Sequence, residues 1–130
     1  MTGKPLPDLS AAGLPAGAAP TGKRALVCLF DFEQRPSRRF LKLVAEQAEG
    51  LAKKDIVVVG LHAVPATPES FKELKEANPV TFPVGFIQEK TPATKWITDI
   101  ESLPWLILTD TAGKITAEGF ALDELDSKLK

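Results

Sequence analysis

Cysteine is almost missing from this chain: Cys28 is the only one in 130 residues. A single thiol excludes an intramolecular disulfide and any cysteine-rich zinc site, and it leaves the redox compartment open. No apolar run approaches the ~20 residues that span a bilayer, so membrane insertion is not expected. The opening Met1-Thr2-Gly3-Lys4-Pro5-Leu6-Pro7 lacks the apolar stretch of a signal peptide. Charge of one sign is not in excess either, since 16 basic and 17 acidic residues leave a net charge of -1. That balance argues against nucleic acid or an anionic membrane as a general partner, because both need concentrated positive charge. Nothing in the composition calls for a metal or a cofactor.

What remains is ordinary for a globular protein: 44% hydrophobic and 25% charged residues, against typical values of ~45–50% and ~25%. The length fits one domain, long enough to bury a true core. Residues 1–22 are rich in proline, glycine and alanine and read as an extended segment, with a possible short strand at Leu6–Leu9. Residues 23–130 read as the folded domain. It opens with Arg24–Phe32, a continuous apolar run that fits a strand buried on both faces of a parallel sheet. A helix follows from Pro36 to about Lys53, with Phe40, Val44, Ala48 and Leu51 along one side. Asp55–Leu61 is a second buried strand, and the three pieces make a βαβ unit.

Thr67-Pro68-Glu69 carries the capping signature of another helix, closed by Asn78-Pro79. Phe82–Ile87 reads as a short strand, and Thr91-Pro92 opens a short helix with Trp96, Ile97 and Ile100. Trp105–Thr109 and Ile115–Gly119 read as a hairpin about Thr111–Lys114. Leu122, Leu125 and Leu129 mark a final helix. The fold class is therefore α/β, a central mixed sheet of four or five strands flanked by helices.

Three stretches are more specific than this order of elements. Gly3-Lys4-Pro5-Leu6-Pro7-Asp8-Leu9 resembles the opening "GKPAPDF" of TlpA-like and alkyl-hydroperoxide-reductase-like redoxins. Leu29–Arg38 resembles their active-site segment "FWATWCPPCR", and Ser102–Asp110 resembles "GLPTTFLID", continued by Thr111–Ile115 as "RDGKI". The resemblance covers essentially the whole chain and implies a thioredoxin-like fold with Leu103-Pro104 as its cis-proline. It sets Gln34 and Ser37 where the two cysteines of such redoxins stand. The chain is also similar to redoxin modules of exported planctomycete-type proteins with "QRPSR" in this loop, which implies an extracytoplasmic domain of a larger protein.

Dithiol exchange needs a thiolate that attacks and a second thiol that resolves the mixed disulfide. Gln34 is an amide without nucleophilic character. A helix macrodipole contributes at most ~2 kcal/mol, or about 1.5 pKa units, which does not ionise the Ser37 hydroxyl near neutral pH. Thiol-disulfide oxidoreductase or peroxiredoxin-like activity would have to run through Cys28, whose place inside a buried strand suits a small core hydrophobe. Ser37 with His62 is a second enzymatic possibility, a hydroxyl activated by an imidazole, with no evident third group. Arg35, Arg38 and Arg39 beside free helix N–H groups suggest a small-anion site. Trp96 and Trp105 either widen an apolar contact surface or belong to the core. The expected function is a redox-inactive binding module. A protein or peptide partner would lie in a groove of Gln34, Arg35, Pro36, Ser37, Arg38, Leu103 and Pro104, where a cis-proline edge pairs with extended chains.

Overall fold

The computed structural model describes residues 3–5, 23–77, 80, 82–88, 92, 94–98, 100 and 103–129. The apolar runs become the strands β1 (Arg24–Phe30), β2 (Ile56–His62), β3 (Val84–Phe86), β4 (Trp105–Thr109) and β5 (Ile115–Glu118). They form one five-stranded sheet in the order β3-β2-β1-β4-β5. β1 runs parallel to β2 and antiparallel to β4, so the sheet is mixed.

Successive side chains of a strand point to opposite faces, and β1 divides accordingly. Leu26, Cys28 and Phe30 join Leu41, Val44 and Leu51 of α1 (Arg35–Ala52), Phe71 of α2 (Pro68–Ala77) and Leu125 of α4 (Leu125–Leu129). Ala25, Val27 and Leu29 join Val59, Leu61, Ile107 and Ile97, the last from α3 (Lys95–Thr98). Helices therefore cover both faces, and β1 is apolar and buried from Ala25 to Phe30 because neither of its faces meets water there.

Element ends differ from the sequence reading for local reasons. β1 stops at Phe30 rather than Phe32, because Asp31 turns the chain: its Oδ1 accepts the Glu33 N–H at 2.9 Å and its carbonyl accepts the Gln34 N–H at 3.0 Å. α1 begins at Arg35, and the last helix splits into a 3-10 turn (Leu122–Glu124) followed by α4. The β4–β5 hairpin turns where the sequence indicates. Asp110 Oδ1 accepts the N–H groups of Ala112 and Lys114 at 2.9 Å each, and Gly113 takes φ +84. Gly3–Pro5 lies against this hairpin, with the Gly3 N–H donating to the Ile115 carbonyl at 2.8 Å. The Leu6–Leu9 strand, the Asn78-Pro79 helix stop and Thr91 of the second capping signature lie outside the described residues.

Candidate functional site

The parallel pairing of β1 and β2 sets Phe30 opposite His62, so the chain following β1 and the end of β2 share one sheet edge. β4 returns antiparallel with Leu29 opposite Trp105, which brings Pro104, just before β4, to that same end of the sheet. The Leu103–Pro104 peptide bond is cis.

The loop between β1 and α1 separates its residues into two groups. Gln34, Arg35, Pro36 and Arg38 are exposed. Gln34 is the N-cap of α1, but its side chain makes no capping hydrogen bond. Ser37 is at 0% exposure, and its Oγ accepts the Asp31 N–H at 3.2 Å. That position corrects its place in the expected contact surface: the hydroxyl faces inward and ties the loop to the first turn of α1. Leu103 and Pro104 are half-buried.

Beneath the loop lies a pair that the sequence did not announce. His62 Nδ1 stands 2.8 Å from the Val64 carbonyl, and a carbonyl only accepts, so Nδ1 carries the hydrogen. Nε2 is then left without a hydrogen-bond partner, 3.5 Å from Asp31 Oδ1. The rings of Phe30, Phe32 and Phe71 surround the imidazole at centroid distances of 5.5, 5.7 and 5.7 Å. Burial holds the His62 pKa below the usual imidazole value, against the pull of the Val64 carbonyl and of the Asp31 and Glu33 carboxylates. Protonation at Nε2 would convert the close approach to Asp31 into an ion pair inside an aromatic cage.

This arrangement does not assemble the Ser37–His62 dyad. One imidazole nitrogen is spent on Val64, and the other has no bond to Ser37. Asp31 stands between the two, bonded through its N–H to Ser37 and facing His62 through its carboxylate. The signal for Asp31 was an acid set inside the apolar run Phe30-Asp31-Phe32.

Cys28 sits at 0% exposure in the middle of β1, and burial pushes its thiol far above the ordinary range. Trp96 and Trp105 are half-buried and pack on the α3 face of the sheet. Among the described residues no group of His, Cys, Asp and Glu could hold a metal, and no helix is long and apolar enough to cross a membrane.

α1 borders two clefts on its two flanks. One, of about 500 Å³, is apolar and runs between Phe40 and Leu43 on α1 and Pro104, Phe120 and Leu122. Leu43 remains 44% exposed there. The other, of about 390 Å³, has a floor of Phe32, Leu41 and Val80 and a rim of Arg35, Arg38, Arg39 and Lys42. The arginines noted in the sequence thus continue, with Lys42, along the side of the helix.

No protein-family model and no curated protein matches the chain. Solved structures do. A thiol:disulfide interchange protein from a Bacteroides species superposes with TM-score 0.76 at 19% identity, covering 99% of this chain and 88% of its own. The thioredoxin domain of a thiol-disulfide oxidoreductase from Bacteroides vulgatus gives 0.69 at 19% identity, covering 84% and 78%. A thioredoxin-like superfamily protein gives 0.73 at 21% identity, covering 99% and 94%. At this identity the likeness establishes the fold, which is thioredoxin-like.

Proposed function

We propose that this thioredoxin-like domain is a redox-inactive binding module, an extracytoplasmic part of a larger protein by its resemblance to exported redoxin modules. The observation that carries the reading is the burial of Cys28. The chain's only thiol lies inside the central strand, where its thiolate is strongly disfavoured. The exposed start of α1, where a redoxin would hold its attacking cysteine, offers the Gln34 amide instead.

The partner is a protein or peptide segment lying along the sheet edge shared by Gln34–Arg38 and Leu103–Pro104. Gln34, Arg35, Pro36 and Arg38 are accessible for this role, and Ser37 supports the loop from inside. The apolar cleft beside Pro104 offers a seat for an apolar side chain of the partner. A small anion at the start of α1 is compatible with the same surface. The alternative, a thiol-disulfide oxidoreductase or peroxiredoxin-like enzyme acting through Cys28, requires a buried thiol to reach a substrate.

The double substitution Gln34→Cys/Ser37→Cys tests this reading. If the site lacks only its thiols, the variant gains insulin-disulfide reduction that the parent chain does not have. Equal reduction by parent and variant would contradict it, because the activity would then come from residues other than these.

A further inference from the structure

The cation-rimmed cleft has features that the inert redoxin loop does not account for. Arg35, Arg38, Arg39 and Lys42 are all exposed and recur every three or four residues, so they share one flank of α1 over about 10 Å. They are four of 16 basic residues in a chain whose net charge is -1, and among the described residues no acid lines the cleft. None of the four is held in an ion pair among the described residues. Below them the cleft floor is apolar, with Leu41 and Val80 on opposite sides. An apolar floor inside a charged rim has the anatomy of an interface.

We infer that this cleft binds an acidic, extended segment of a partner protein in which carboxylates alternate with apolar residues. Four long exposed side chains do not form a rigid cage for one small ion, and a single exposed ion pair contributes under about 1 kcal/mol. Binding therefore needs several pairs together, which a chain of carboxylates supplies. Alternate residues of an extended chain lie about 6.6–6.8 Å apart, and residues four apart on a helix rise by about 6 Å, so successive acids can meet the pairs Arg35/Arg39 and Arg38/Lys42. When the acids face the cations of α1, the apolar residues between them point the other way, to Ala77 and Val80 on the opposite wall of the cleft. The cleft volume of about 390 Å³ suits one or two such side chains. The inference rests on the reading of the domain as a binding module and adds a second contact surface, on the flank of α1 away from the Pro104 cleft.

The test is fluorescence anisotropy at low salt with a labelled peptide of alternating Glu and Leu. The unmodified chain binds it, and added salt weakens the binding because exposed charges are screened. Arg38→Glu/Lys42→Glu weakens it by about tenfold or more, and the milder Arg38→Gln/Lys42→Gln weakens it less. Lys54→Glu, the same change of charge beyond the far end of α1, leaves it unaltered. No binding, equal binding by the Arg38/Lys42 variants, or equal competition by inorganic polyphosphate of matched charge would each overturn the inference. Polyphosphate competing equally would mean a general anion surface. Insulin-disulfide reduction measured on the same samples keeps the two readings apart: failure of the peptide leaves a redox-inert domain, and turnover by the parent chain removes that reading whatever the peptide does.

Discussion

At the scale of single residues, the chemistry turns on where three side chains point. Cys28 faces the core from β1 and is fully buried beneath the helices on that face. Its reaction with an aromatic disulfide reagent should therefore follow global unfolding, at a rate that rises with denaturant as the open population grows. A fast reaction in native buffer would place the thiol at the surface. The burial of Cys28 was legible because apolar residues flank it on both sides in sequence. The Asp31–His62 approach was not, because the two residues are far apart in the chain and meet only through the parallel register of β1 and β2. The βαβ pattern sets the two strands side by side, but it does not give the register that places Asp31 against His62.

The same pair gives a pH dependence with a defined sign. An unfolded chain protonates His62 near 6.5, whereas burial lowers that value in the folded state. The unfolded state therefore binds the proton more readily, and stability falls as pH drops from about 6.5 towards the lower folded value. Above that window the contribution of His62 is constant. Chemical denaturation at pH 8 and at pH 5 should show the parent chain losing more stability on acidification than His62→Gln. An equal loss in the two proteins would show that His62 does not titrate differently on folding.

At the scale of elements, glycine and proline fix the edges of the site. Gly119 follows β5 at φ +69, and a Cβ there would meet the Trp105 ring at 2.7 Å. Trp105 begins β4 directly after Pro104, so crowding at Gly119 is transmitted to the sheet edge where the partner is expected. Gly119→Ala should cost more than about 1 kcal/mol, through its backbone conformation and its contact with the indole. Thermal denaturation measures this, and an unchanged melting temperature would show that Trp105 moves aside freely. Strands, helices and the β4–β5 hairpin were legible from apolar runs, proline-led caps and the Thr111–Lys114 turn. The cationic flank of α1 was legible only in part: Arg35, Arg38 and Arg39 stood out by clustering, while Lys42 and the cleft beneath it depend on how α1 packs beside the end of α2.

At the scale of the whole molecule, the five-stranded mixed sheet and its helices on both faces form a thioredoxin-like frame. Fold alone does not carry function, which resides in the side chains that the frame presents. Here the frame delivers an amide, arginines and a proline to the end of the sheet where β1 meets α1. The absence of a cysteine from the exposed loop could be read directly in the sequence. What the domain binds could not, because recognition depends on clefts formed by segments distant in sequence.

A redox-inactive domain turns over neither thiol nor peroxide substrates. Insulin-disulfide reduction and hydroperoxide consumption should be measured for the parent chain and for Cys28→Ala, with folding of both verified. The account predicts no rate above the uncatalysed background for either protein. Turnover by the parent chain that disappears in Cys28→Ala would make this a one-cysteine redoxin and contradict the central claim.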